Sequence, residues 1–203
     1  MMAATTQATA VRDDGLYEKS RLAKLRMPLT IAIFSMAIAA QVISGVKPAW
    51  PLTLSDPTTV SGLALLALGL AIRTWAAGML NKKTRLATDG PYALVRHPLY
   101  LGSILMMIGF ALLSGALWNL GVVAVTAALS FGSAIVDEER FLARHFADSW
   151  NAYAQSRGRL LPFSVAGDVT AAWSLRRWLQ NREYNAVLLT LIGLAAILAW
   201  SQA

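Results

Sequence analysis

Apolar residues in this chain come in long runs, and polar and charged residues sit in short knots between them. Met27 to Val46 is a first candidate span, with Pro28 expected in its first turn, where a missing N–H costs little. Thr58 to Leu80 is a second, and Gly62, Gly69 and Ala76 recur in it every seven residues, a small-residue seam that lets another helix approach closely. Leu101 to Val136 holds no charged residue over 36 positions. As one helix it would run about 54 Å at 1.5 Å per residue, beyond a hydrocarbon core of about 30 Å. It must fold back, and Ser114-Gly115 with Trp118-Asn119 mark the turn of a helical hairpin over 99–136. Both ends of that hairpin return to one membrane face.

The remaining segments are polar or mixed. Residues 1–26 read as a tail ending in a basic collar (Lys19, Arg21, Lys24, Arg26), with a short interfacial helix from Leu16 to Arg26. This tail lacks the apolar core and cleavage site of a signal peptide. Asp137 to Arg159 reads as a polar, aromatic helix ended by Leu160-Leu161-Pro162-Phe163. Residues 164–203 form a linker with a basic amphipathic piece, Trp173 to Arg182, and a final apolar helix from Asn185 to Trp200. The expected fold is all-α and polytopic, with about five membrane helices and a core over residues 27–163.

Composition agrees. Of 203 residues 56% are hydrophobic and 14% charged, against about a quarter charged in soluble domains. The net charge of +7 reads as a basic cytoplasmic face rather than a nucleic-acid surface. Basic residues crowd the N-terminus, the 81–98 loop and the 137–184 segment, which places all three on the cytoplasmic side of an inner, plasma-type membrane. There is no cysteine and only two histidines, so thiol catalysis and His-rich metal clusters drop out. No Gly-rich nucleotide loop of accepted pattern is present. No metal and no nucleic-acid partner is expected.

Chemistry concentrates in two knots. Gly90 to Gly102 reads Gly-Pro-Tyr-Ala-Leu-Val-Arg-His-Pro-Leu-Tyr-Leu-Gly, and Asp137-Glu138-Glu139-Arg140 closes the apolar run. Arg96 and His97 lie at a helix start, which suits a carboxylate or phosphate ligand, or they serve as a lipid-facing cation and a cap. Arg96 beside it should keep the His97 imidazole neutral. Glu138 and Glu139 suit ribose hydroxyls or a cationic ligand, or else form a solvated helix extension paired to Arg140 or Arg144. Tyr92 and Tyr100 offer faces for a cation or an adenine-like ring, or belong to an interfacial belt. Arg73 is expected to snorkel to the membrane surface, and His145 to be a surface residue of the polar helix.

The pattern Gly-Pro-Tyr-(x)3-Arg-His-Pro-x-Tyr-x-Gly followed by Glu138-Glu139, Phe146, Trp150, Tyr153 and Leu161-Pro162-Phe163 resembles the isoprenylcysteine carboxyl methyltransferase family over residues 84–163. That family is related to the phosphatidylethanolamine methyltransferases. The resemblance implies S-adenosylmethionine as methyl donor and a lipophilic acceptor drawn from the membrane lipids. It implies that Tyr92, His97, Pro98, Leu99, Tyr100 and Glu138 hold the donor. The loop Thr84, Arg85, Leu86 and Ala87 would line the same pocket, with Arg96 facing the anionic part of the ligand. His97 and Glu139 are the candidate bases for an acceptor that must lose a proton. The family arginine one turn before the Glu pair, which holds a prenylcysteine carboxylate, corresponds to Ala134 here. The family glycine after Phe146 is Ala147, and a family tyrosine is Trp150. Two rival readings are an NADPH-dependent enzyme of the sterol-reductase type and a non-catalytic membrane accessory protein.

Overall fold

The structure is a computed structural model that describes residues 21–48, 55–81, 85–165 and 167–202. Thr84 and the tail up to residue 20 lie outside the described residues, so the expected helix from Leu16 is described only in its second half. There, Arg21 onward is continuous with the first membrane helix, α1 (Arg21–Ile43), and Pro28 therefore lies inside the helix rather than in its first turn. Six more α-helices follow: α2 (Pro57–Met79), α3 (Pro98–Leu113), α4 (Asn119–Ala127), α5 (Ser133–Ser156), α6 (Leu175–Gln180) and α7 (Tyr184–Gln202). No strand occurs among the described residues. The protein is an all-α membrane protein. Three helical stretches are long and apolar enough to cross a bilayer: α2, α7 and the continuous 38-residue rod Asn119–Ser156.

Local chemistry sets the helix limits. Asp56 caps α2, accepting from the Thr59 amide at 2.8 Å, and Pro57 follows where no amide partner is needed. Pro98 opens α3 in the same way. The hairpin turns at residues 114–118, with Gly115 at φ 77. The turn is tied to α1 by Gln41, whose Nε2 donates to the Ser114 carbonyl at 2.5 Å and whose Oε1 accepts from Asn119 at 2.8 Å. The second arm differs from expectation in one respect. It joins the polar helix without a break, through a π-helical turn at Ala128–Gly132. A 38-residue rod is about 57 Å long, so its polar end stands well clear of an approximately 30 Å core.

Close packing of α2 on α3 holds the core. Gly62 and Gly69 of α2 face Gly109 and Gly102 of α3 in antiparallel register. A Cβ on Gly69 would sit 2.5 Å from the Gly102 carbonyl oxygen, and one on Gly109 would sit 2.7 Å from that of Gly62. Hydrocarbon solvent gives helices no hydrophobic reason to associate, so close backbone approach and dispersion supply the attraction. The expected seam on α2 is thus half of a matched pair. Ala76, its third member, is fully buried and packs with Met79 against Tyr92.

Candidate active site

The two polar knots meet. The loop before α3 and the segment after α5 pair through their backbones: the Arg96 amide donates to the Gly158 carbonyl at 2.8 Å, and the His97 amide to that of Arg159 at 3.0 Å. Their side chains converge on Glu139. Its carboxylate lies 2.9 Å from Arg96 Nη1, 3.2 Å from His97 Nε2 and 2.8 Å from Arg159 Nη2. A carboxylate only accepts, so the His97 Nε2 carries the proton in that contact. Glu138 points elsewhere. It is 44% exposed and lies 3.8 Å from His97 Nδ1, beyond hydrogen-bond range.

Charge follows from this burial. His97 is held below the usual histidine range, first by loss of solvent and least by Arg96, while Glu138 and Glu139 oppose the shift. The expected neutral imidazole therefore has burial as its main cause. The Tyr92 phenol is pushed well above the ordinary tyrosine range by burial, with Glu138 adding to it.

Beside this junction lies a cavity of about 300 Å³. Tyr92 and Arg96 form its base, and Leu80, Arg85, Leu86 and Ala87 form one wall. The facing wall is a single stripe of α5. Glu138, Phe141, Leu142, His145 and Phe146 fall at i, i+3, i+4, i+7 and i+8, the spacing of one helix face, and Trp150 and Tyr153 continue it. Between Phe146 and Trp150 the helix passes through Ala147 at φ 39, ψ −112, which an L residue rarely adopts. Tyr153 then reaches back and donates to the Tyr92 carbonyl at 3.0 Å, tying the far end of α5 to the cavity base.

Of the residues singled out in the sequence, Arg85, Leu86, Ala87, Tyr92, Arg96 and Glu138 line this cavity together. His97, Pro98, Leu99 and Tyr100 stand behind it. The ring of Tyr100 lies 5.6 Å from that of His97 and 5.3 Å from Phe131 on the π-helical turn. Glu139 also stands behind, among its cationic partners. Sequence reasoning left His145 as a surface residue, yet it lines the cavity, stacked 5.5 Å from Phe141 and edge-on to Phe146 at 4.9 Å. Its spacing of seven from Glu138 was the available signal. Arg73 is another departure. Instead of snorkelling alone it makes a two-pronged pair with the buried Glu183, at 2.7 and 3.0 Å, and donates to Ser103 at 2.5 Å.

Two polar atoms at the cavity base are buried and have no partner: Tyr92 Oη and Arg96 Nε. Buried donors of this kind ordinarily find an acceptor. A ligand in the cavity would supply one.

Comparison with known proteins accounts for this arrangement. Residues 57–149 match the model of the phospholipid methyltransferase family. The core of this chain belongs to that family. Two relatives are a cobalt-zinc-cadmium resistance protein of Cupriavidus metallidurans, 29% identical over 66% of this chain and 61% of its own length, and a nickel-cobalt-cadmium resistance protein of Alcaligenes xylosoxydans xylosoxydans, 29% identical over 53% and 54%. A third is a protein-S-isoprenylcysteine O-methyltransferase of Schizosaccharomyces pombe, 32% identical over 46% of this chain and 44% of its own. The match thus spans between about two fifths and three fifths of these relatives. No solved structure matches. The matched core holds both knots and most of the cavity, and α6 and α7 lie beyond it.

Proposed function

We propose that this membrane methyltransferase-family protein uses S-adenosylmethionine to methylate a hydrophobic acceptor dissolved in the bilayer, at the cytoplasmic face. One observation carries the reading: the cavity's two orphan donors, Tyr92 Oη and Arg96 Nε, face an aromatic wall that also presents Glu138. Those are complementary to the parts of a zwitterionic nucleoside sulfonium. Arg96 and Tyr92 would take its carboxylate and other acceptor atoms. Glu138 would take its ammonium or ribose hydroxyls, and the faces of Phe141, Phe146 and Trp150 suit a sulfonium cation. When bound, the donor supplies an activated methyl group. The chain's own contribution is orientation and exclusion of water.

His97 and Glu139, candidate bases from the sequence, act in this reading by holding Arg96 against the cavity. Pro98, Leu99 and Tyr100 support that loop from behind, and Thr84 would belong to the wall that Arg85 begins. The acceptor is a lipophilic oxygen, sulfur or nitrogen nucleophile. Ala134, where the family arginine would hold a prenylcysteine carboxylate, is buried and offers no charge. The names of two relatives speak of metal resistance, but no group of three His, Cys, Asp or Glu side chains suited to a metal occurs among the described residues.

Thermal shift of purified protein with S-adenosylhomocysteine and, separately, NADPH tests the reading. Stabilisation by the first, reduced at least tenfold in apparent affinity by Tyr92→Phe or Glu138→Gln, supports it. Stabilisation by NADPH alone, or by neither, overturns it. Mass spectrometry of membrane lipids after exposure to a methyl-deuterated donor then identifies the acceptor.

A further inference from the structure

The last helix carries a feature that methyl transfer does not use. α7 is tethered to the core at its first turn only. Arg73 pairs with Glu183, Asn181 donates to the Ala77 and Leu80 carbonyls at 2.8 and 3.0 Å, and Trp173 donates to the Thr74 carbonyl at 3.0 Å. Beyond that turn α7 stands away from α3, and almost its whole length is unburied. Two cavities, about 450 and 490 Å³, open between the two helices. Both are lined by Met107, Phe110 and Leu189, so they meet along one crevice.

The crevice is amphiphilic from end to end. On α7 its lining falls at Asn185, Ala186, Leu189, Gly193, Ala196 and Trp200, one face of a helix. The end near the catalytic face presents Arg182, Asn181, Asn185 and Ser103 beside the Arg73–Glu183 pair. The rest is apolar down to Trp200. Arg182 is exposed, sits at φ 56 where a non-glycine residue is strained, and forms no ion pair among the described residues. Arg176 and Arg177 lie one and a half turns away on α6, so this end of the groove carries more positive charge than Glu183 offsets. Inside a bilayer, a void of this size with no polar lining holds hydrocarbon rather than water.

We propose that the α3–α7 crevice binds an acidic phospholipid, its headgroup against Arg182 and the two asparagines and an acyl chain along Phe110, Leu189 and Gly193. The crevice shares no lining residue with the catalytic cavity. The α2–α3 glycine seam, too tight for a methyl group, is closed. The lipid is therefore a bound component that docks α7 on the core, separate from any methyl acceptor.

Native mass spectrometry of detergent-purified protein, re-lipidated with phosphatidylglycerol or with phosphatidylcholine, reads the site directly. The expected result is one retained phosphatidylglycerol per chain. Retention should fall at least fivefold in Arg182→Gln, and likewise in Ala196→Phe, which fills the tail path. Arg140→Gln, on another surface, should retain it as wild type does. Thermal shift supplies a second reading: phosphatidylglycerol raises the Tm of wild type and not of Arg182→Gln, while 10 mM inorganic phosphate (on the order of a generic anion screen) does not. Equal retention of the two lipids, an unaffected Arg182→Gln, or an equal shift by phosphate overturns the proposal. A lipid-free dimer that Ala196→Phe converts to monomer would assign the crevice to a second copy of the chain and overturn it as well.

Discussion

Replacing Glu139 with Ala should be among the most damaging single changes at the membrane face, and the geometry says why. The carboxylate is 13% exposed and lies within 3.2 Å of three nitrogen-bearing side chains. The three contacts differ in weight. Arg96 is 16% exposed, and losing its carboxylate leaves a mostly buried cation without compensation, which costs about 3–5 kcal/mol when a pair is truly buried. The His97 contact is a hydrogen bond from a neutral ring to a charged group, worth about 1.5–3 kcal/mol before the ring finds another partner. Arg159 is 56% exposed, and water replaces its partner readily, so its share is about 0–1 kcal/mol. These figures overlap, because one carboxylate serves all three, and they do not add. The expectation is a loss of about 3–5 kcal/mol for Glu139→Ala against less than about 1 kcal/mol for Arg159→Gln. Reversible unfolding in mixed detergent micelles, followed by circular dichroism, measures both. Equal losses for the two variants would refute the assignment of Arg96 as the buried partner. A loss under about 1 kcal/mol for Glu139→Ala would refute the hub itself.

Three further perturbations test other parts of the structure. Gly69→Val should destabilise by about 1–3 kcal/mol through overpacking, because its Cβ would meet the Gly102 carbonyl oxygen at 2.5 Å. Gly121→Ala, with open space around it, should be neutral or stabilising in the same unfolding assay. Ala147→Gly should stabilise by up to about 1 kcal/mol, since glycine adopts φ 39 without a Cβ penalty. A drop in Tm would show that the Ala147 methyl matters more than the strain. Acid should also weaken the fold through His97. Burial lowers its pKa in the folded state below the unfolded value of about 6.5. The unfolded chain therefore takes up a proton that the folded chain resists. Stability should be flat above about pH 6.5 and fall as pH drops below it. Tm measured from pH 5 to 8 should show this acid limb in wild type and a shallower one in His97→Gln.

The fold class was written in hydropathy. A bilayer of fixed thickness admits apolar helices of limited length, so the charge-free run from Leu101 to Val136 had to double back, and its ends had to share a face. Spacing along the chain also gave the α2 glycine stripe and the two knots, because these are one-dimensional patterns. Pairings across the fold were not legible. That Gly102 and Gly109 answer Gly69 and Gly62 depends on the register of two antiparallel helices. That Arg73 finds Glu183, 110 positions away, depends on where α7 begins. Which glutamate faces the cavity was likewise undecided: adjacent residues on a helix point about 100° apart, and only the docking of α5 on the 90–97 loop turned Glu138 into the cavity and Glu139 into its cationic support. The same docking brought His145 to the cavity wall. Composition and periodicity fix what a segment buries, and tertiary contact fixes which partner it is buried against.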